Sequence, residues 1–403
     1  MVIPASEQFS ERFIDGVSLG FDDVSILPAA TLVGADKITL KTRLNQTISL
    51  SLPFLLMTSQ AEHAAVAAQN GLLGIVPHDL KPSAQASIVR NVKRHQTRIV
   101  QNPITVTAET SVAETIDLHD RYDISGIPVI DESSRRVVGL AVRETIKQEK
   151  DTDKPVSSVM TQDGLIMLQD SGSIDEVEKQ MKKHNVRRII LTDRDQRCIG
   201  MVTAKDLERI NNSANALMDN RGRLRVGASV GTGPDHMDRV TMLIDEQVDF
   251  ILVQGDHLHG KSLTDMVTHI RRQRAGHVDV IAGPVMTSDA AHSLMDAGAS
   301  ALFMQTELPD AYKDTGIGLK PFSALLQVAD AVAVREIPVF IKGVSQPDHR
   351  IKALAGGANG FILSDTPPAD CVAMGEQIKH AMQLLGCANV AQLHADPRFT
   401  RLK

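Results

Sequence analysis

Short unbroken apolar runs alternate with amphipathic segments along most of this chain. Leu50–Met57 (LSLPFLLM), Gly74–Pro77, Phe250–Val253, Val278–Ala282, Ala301–Met304, Ile337–Ile341 and Gly360–Leu363 have strand length and lack a polar face, as strands buried on both sides do. Helical spacing predicts helices over Ala61–Asn70, Lys261–Arg274, Ser288–Ala297 (stopped by Gly298), Pro321–Val334, Asp348–Leu354 and Ala373–Leu385. Strict strand–helix alternation is the pattern of a parallel barrel. One further stretch, Arg221–Asp235 (RGRLRVGASVGTGPD), reads as a strand running into a glycine loop. Leu224, Val226 and Ala228 alternate with Arg225 and Gly227, and Gly231, Gly233 and Pro234 end the run. Spacing alone asks no more of it than a buried strand and a turn.

Near Asn91–His95 the rhythm changes. Residues 103–145 and 155–208 repeat one plan: a short strand, a Ser before an acidic amphipathic helix, a strand ending in Asp, a turn, then a strand with Gly followed by three apolar positions. Val112, Ile116 and His119 match Val177, Met181 and His184 in phase. A repeat of this length predicts a tandem module.

Bulk properties narrow the class. With 403 residues the chain is long enough for two or three domains and a sizeable core. A formal charge of -6 speaks against a nucleic-acid surface. Aromatics make up 3% and Trp is absent, so the core must be aliphatic. The three cysteines, Cys198, Cys371 and Cys387, have no metal-ligand spacing, which predicts a reduced, cytoplasmic protein without a metal site. The N-terminus lacks a signal-peptide pattern, and no apolar run is long enough to span a bilayer, so no membrane is expected.

The stretch RGRLRVGASVGTGPD, together with GFDDVSILP at Gly20–Pro28, resembles segments of the IMP dehydrogenase/GMP reductase family. The repeated segment resembles a pair of cystathionine-β-synthase (CBS) domains, an insertion characteristic of IMP dehydrogenase. The resemblance implies a (β/α)8 TIM barrel with an inserted α+β tandem CBS (Bateman) module. Residues 1–92 would form the first part of the barrel, 93–212 the tandem module (93–150 and 151–212), and 213–403 the remainder. It also implies that Gly20–Pro28 is a strand covering the bottom of the barrel.

The family's chemistry is hydride transfer between a purine nucleotide and a nicotinamide cofactor, through a covalent bond from Cys to the purine. A thiolate on a glycine-rich loop suits that task, because it attacks at neutral pH and the loop approaches the ring closely. The corresponding loop here reads QTELPDAYKDTGIG, with Tyr312 at approximately the Cys position, and no Cys occurs between Gly200 and Asp370. The family's ribose-binding Asp and glycines (ADGGI) correspond to Ile341, Lys342, Gly343, Val344 and Ser345, and its Gly-Ser after the last strand to Ser364 and Asp365. A carboxylate about 4 Å from a phosphate charge costs roughly 4 kcal/mol per pair at an effective dielectric near 20. The expectation is a degenerate substrate site in which Lys342 and Asp365 pair with each other; a pocket retuned for another ligand is the alternative. The family's GNV after strand four appears as Gly283, Pro284 and Val285, its cofactor-contacting Asp after strand three as Gln254, and its SAAMD stretch as Leu56–Gln60. The family's flap with its Arg–Tyr pair is replaced by Thr366–Ala369 (TPPA). Asp256, His257 and His259 are more simply read as solvated loop residues than as a metal site.

In nucleotide-binding CBS motifs the last strand reads Gly-φ-φ-Thr-x-x-Asp. The second repeat keeps it as Gly200, Met201, Val202, Thr203, Ala204, Lys205, Asp206, whereas the first has Val142 and Thr145 at the polar positions. Asp206 would accept ribose hydroxyls and Thr203 would meet phosphate, with Arg187, Arg188 and Lys205 adding positive charge; Thr203 and Asp206 also fit a helix cap, and the two roles are compatible. The sequence therefore predicts a noncatalytic homologue, assembled as a homo-oligomer (a tetramer or larger), whose CBS module senses an adenine nucleotide (ATP, ADP or AMP). The alternative is an active NAD(P)-dependent purine-nucleotide oxidoreductase or a repurposed barrel enzyme.

Overall fold

Eight parallel strands close on themselves in the computed structural model, which describes residues 18–30, 33–94, 100–101, 103–122, 124–169, 174–204, 207, 215–273, 278–307, 315–395 and 397–402. They are β1 (Phe54–Met57), β2 (Leu73–Val76), β3 (Val226–Val230), β4 (Phe250–Gln254), β5 (Asp279–Gly283), β6 (Ala301–Gln305), β7 (Val339–Lys342) and β8 (Gly360–Ser364). Each pairs in parallel with its neighbours, and β8 closes on β1. The helices that follow them are α1 (Ala61–Gln69), α2 (Pro82–Arg94), α3 (Asp235–Asp245), α4 (Lys261–Arg272), α5 (Ser288–Ala297), α6 (Pro321–Ala333), α7 (Pro347–Ala355) and α8 (Pro368–Leu384). This is the (β/α)8 TIM barrel that the alternation of runs and the family resemblance predict.

The strands lack a polar face because neither side meets water. Phe54, Phe250, Phe303, Phe340 and Phe361 are among the largest fully buried side chains. Within β3 the sequence alternation does not become an in–out alternation: Val226 to Val230 are all buried, and a Cβ on Gly227 would lie 3.2 Å from Ile75. Helix α5 has the predicted bounds. The Thr287 hydroxyl accepts from the Ala290 N–H at its start, and Gly298, at φ 103°, stops it.

Three features differ from the sequence expectation. The run Leu50–Met57 is not one strand: Ser49–Leu50 pairs antiparallel with Thr42–Arg43, and β1 begins after Pro53. Pro53 has no N–H to give to a sheet ladder. The segment around Gly20–Pro28 does not cover the barrel bottom. Its strand Val24–Ile26 pairs with Phe399–Arg401, and Phe21 packs against Phe322 of α6 and His349 of α7. The strands' N-terminal end is instead met by the Thr42–Leu50 hairpin, whose Asn45 amide donates to Asp279 at the start of β5 (2.6 Å) and whose Arg43 pairs with Glu336 (2.7 Å). Helices α2 and α3 lie outside the predicted set, since charged residues interrupt their apolar faces; Arg239 is itself buried in α3.

The chain divides into two compact units, one comprising Met1–Val92, Asn215–Leu217 and Arg225–Lys403, the other Lys93–Ala214 and Met218–Leu224. The second unit is internally repeated. Val106–Thr107, helix Val112–Arg121 and the antiparallel pair Gly126–Ile130/Val137–Val142 recur as Met167–Gln169, helix Ile174–His184 and Arg188–Thr192/Cys198–Thr203. Both hairpins turn on an Asp: Asp131 accepts from the Ser134 N–H and Asp193 from the Arg197 N–H, with Arg135 and Gln196 at positive φ. Val112 and Val177 are fully buried in corresponding cores. His119 is buried and bonded to the Ile124 carbonyl, whereas its counterpart His184 is exposed. Near the unit's edge, Lys93 and Arg223 enclose the buried carboxylate of Asp219. Among the described residues no helix is long and apolar enough to cross a membrane.

Candidate functional site

In a (β/α)8 barrel the loops after the strands form the working face. The structure places Lys342 at the end of β7, with Gln305 of β6 as its neighbour in register. Lys342 is half-buried, and burial lowers its pKa. The expected ion pair with Asp365 is not formed, and Lys342 has no carboxylate partner among the described residues. Asp365 points to solvent from a left-handed backbone conformation (φ 51°) just past β8, and Ser364 beside it is exposed too. A short exposed loop lets that carboxylate stay in water, which a buried lysine cannot outbid without closing the distance.

Gly343 keeps the family's glycine for a local reason. It sits at φ 92°, its carbonyl accepts from the Thr306 hydroxyl, and a Cβ there would lie 2.4 Å from that oxygen. Gly283 is likewise a packing position: a Cβ would stand 2.2 Å from the Phe303 carbonyl oxygen of β6. It ends the fifth barrel strand rather than the fourth, and Gln254, its partner in register, ends the fourth rather than the third. Tyr312 lies outside the described residues. Between β8 and α8 the chain has three residues, Asp365–Pro367, and α8 starts at Pro368, five residues earlier than its apolar spacing suggests. Asp256, His257 and His259 are exposed, with His259 turned to the Ser293 hydroxyl at 3.2 Å. Among the described residues no three metal-ligating side chains converge.

The chemistry of this face lies elsewhere, in a cluster that the sequence reading did not single out. His78 follows β2, and its Nδ1 lies 2.9 Å from the hydroxyl of Ser229 in β3; its own backbone N–H donates to the same oxygen. His236, in the first turn of α3, meets the His78 ring edge-on at 5.4 Å. Gly231 lies against its ring: a Cβ there would be 2.7 Å from His236 Nε2. Behind them buried Gln85 donates to the carbonyls of Val76 and Ser229, and Arg239 donates to Gln85 and to the Leu80 carbonyl. Burial first, then His236, Arg239 and Lys342, hold the His78 pKa below its ordinary value against the opposing pull of Asp79. Burial and Arg239 do the same to His236, against Asp235 and Asp256. Ser229 is fully buried and bonded to His78, so it orients the ring. Only the glycine loop after β3 signalled this region in the sequence; the residues that meet there are up to about 260 positions apart in the chain.

The thiols lie off the loops that follow the barrel strands. Cys371 is fully buried in α8, and burial pushes its pKa up to about 11. Cys198 opens a strand of the second unit and is pushed up to about 11 by burial, and Cys387, after α8, is also raised by burial. A concavity of about 770 Å³ lies at the other end of the barrel beside the Thr42–Leu50 hairpin. Its Arg43 and Glu336 pair with each other and its His394 is bonded to the Ala358 carbonyl, so these groups are already engaged.

In the second unit Arg188 and Thr203 are direct partners across an antiparallel pair and so share a sheet face. Arg188 reaches the first repeat, lying 3.4 Å from both the Ser125 hydroxyl and the Glu144 carboxylate. Arg187 is exposed at the strand's start. Lys205 and Asp206 lie outside the described residues.

A family model described as the IMP dehydrogenase / GMP reductase domain matches residues 18–366. An inosine-5′-monophosphate dehydrogenase of Aquifex aeolicus is 33% identical over 371 residues, covering 89% of this chain and 75% of that protein. One of Mycobacterium leprae is 32% identical over 371 residues, covering 90% and 70%. Among solved structures, GMP reductase from Trypanosoma brucei in complex with guanosine 5′-triphosphate superposes with a TM-score of 0.73 at 24% identity, covering 98% of this chain and 100% of that one. That last likeness is one of fold.

Proposed function

Since the chain belongs to the IMP dehydrogenase/GMP reductase family, we propose that it is a member without the family's thiolate chemistry, acting as a noncatalytic, nucleotide-responsive homologue. One observation carries this reading: no thiol stands on a loop that follows a barrel strand. Covalent attack on a purine needs an exposed, readily ionised Cys. None of the three cysteines lies on a loop that follows a barrel strand, and burial raises the pKa of each. The degenerate substrate site, with Lys342, Gly343, Ser364, Asp365 and Gly283 in place of the family's pattern, supports the same reading.

We read the second unit as a tandem CBS module that takes an adenine nucleotide at Thr203, Lys205 and Asp206, with Arg187 and Arg188 contributing charge. The facing of Arg188 and Thr203 across one hairpin supports a phosphate-binding role there. Assembly into a tetramer or larger homo-oligomer and a cytoplasmic location belong to the same proposal. Identity of 33% to a dehydrogenase favours the alternative, an active NAD(P)-dependent oxidoreductase.

Two assays test the reading. Nicotinamide absorbance is followed with IMP plus NAD and with GMP plus NADPH; no turnover is expected. Turnover lost in the triple Cys→Ser variant would restore the family mechanism, and turnover kept there would establish a repurposed enzyme. Thermal-shift titration with ATP, ADP and AMP on wild type and Asp206→Ala tests sensing. A ligand at 100 times its Kd stabilises by about 2.7 kcal/mol, and the shift should vanish in the variant.

A further inference from the structure

We propose that the concavity at the end of the barrel away from the working face, between α6, the end of α7 and the Thr42–Leu50 hairpin, is a docking surface for a second copy of this chain in a two-fold contact. The inference rests on the reading of the chain as a homo-oligomer, and it names the surface through which two copies meet.

Helix α6 gives the first observation. From Pro321 to Val334 its only charged residue is Asp330. A helix that is apolar on all sides is normally a buried one. One side of α6 does pack inward, through Phe322, Leu325, Val328 and Val332. The other side is open: Leu326, Ala329, Asp330 and Ala333, at i, i+3, i+4 and i+7, share a face that lines the concavity. Leu326 and Ala333 are exposed, and Val334 beside them is 92% exposed. Covering that apolar surface is favourable wherever a partner of matching shape exists.

The concavity itself has the matching shape. It measures about 770 Å³, and small residues form much of its wall: Ala329 and Ala333 from α6, and Ala355, Gly356 and Gly357 where α7 ends. Gly357, at φ 105°, comes so near α6 that a Cβ there would lie 2.6 Å from the Ala329 Cβ. The charges say which partner fits. Arg43 is neutralised within the chain by Glu336. Lys41 and Asp330 are exposed and form no ion pair among the described residues. A groove with one spare base and one spare acid is matched by a surface that carries the same two. A second copy is such a surface, and a two-fold axis sets Lys41 of one copy against Asp330 of the other, twice. Val334 of each copy then enters the concavity of the other and leaves water.

Sedimentation velocity on the whole chain over a range of concentrations measures the mass, and far-UV circular dichroism checks the fold. Wild type should associate. Val334→Asp changes a side chain that meets mainly water within one copy, so it should leave the spectrum unchanged and halve the mass where wild type is associated. Asp330→Lys and Lys41→Asp should each do the same, because each sets like charges against one another across the contact. Combining Asp330→Lys with Lys41→Asp should restore the wild-type mass, which a misfolded chain would not do. A wild type that stays monomeric, a mass unmoved by Val334→Asp, or a double variant no heavier than the single ones would overturn the contact. The first of these would overturn the homo-oligomer reading as well, whereas the other two leave it standing through another surface. Turnover of IMP or GMP would overturn the noncatalytic reading without touching the contact.

Discussion

The Ser229 hydroxyl oxygen lies 2.9 Å from both the ring Nδ1 and the backbone nitrogen of His78. One buried oxygen thus joins β3 to the loop after β2 and orients an imidazole at the barrel mouth. Ser229→Ala removes the oxygen that holds both His78 nitrogens, so the His78 ring should lose its fixed orientation, which the chemical shifts of its ring protons report. The unpaired backbone N–H left behind should cost about 1–3 kcal/mol, read from urea denaturation.

Gly283→Ala should destabilise the barrel without any ligand in play. Its Cβ would stand 2.2 Å from a backbone oxygen, that of Phe303, and backbone in a closed barrel has little room to retreat. Overpacking of this kind costs about 1–3 kcal/mol. A urea midpoint unchanged from wild type would show that β5 and β6 can separate, and would return Gly283 to a purely functional role.

Asp219 is 7% exposed, 3.2 Å from Lys93 Nζ and 2.8 Å from Arg223. Burial raises its pKa, but the two cations outweigh burial and the net shift is downward. Asp219→Ala leaves buried positive charge uncompensated and should cost roughly 3–5 kcal/mol. The loss should appear in the unfolding transition of the second unit, followed by hydrogen exchange at Val177 and Ile189 in its core.

Among the described residues, four histidines set the response to mild acid. His78, His119, His236 and His394 all have lowered pKa values, with burial the largest cause for each. A base whose folded pKa is depressed is neutral in the fold and charges more easily in the unfolded chain. Stability is therefore whole above the unfolded pKa near 6.5 and is lost as pH falls below it. Fully buried His119 contributes a slope of at most about 1.4 kcal/mol per pH unit, and the water-accessible His78 and His236 less. Urea midpoints at about pH 8 and about pH 5.5 measure the drop; His119→Gln should shrink it. Carboxylates such as Asp219, whose pKa is lowered, act only below about pH 4, outside this window.

The barrel was legible in the chain because burial on both faces imposes continuous apolar runs, and because Gly298 announces a helix end wherever it falls. The internal repeat was legible because two copies share a phase. The substitutions at Lys342 and Asp365 were legible as well, but their supposed pairing was not: opposite charges on adjacent strand ends suggested contact, and the backbone instead turns Asp365 outward. Pro53 marked a break that an apolar run of eight residues concealed. His78, Ser229 and His236 carried no joint signal, since nothing in their spacing brings them together.

By itself, then, the sequence determined the barrel strands and most of their helices, the family, and the absence of a Cys from the loops of the working face, because burial patterns and residue identity are local properties. Only the tertiary structure decided what stands at the barrel mouth. Closing eight strands sets His78 against Ser229 and His236, and brings Lys342 from the seventh strand within electrostatic reach of the second. Those distances follow from the closure of the whole sheet, which no local stretch of sequence encodes.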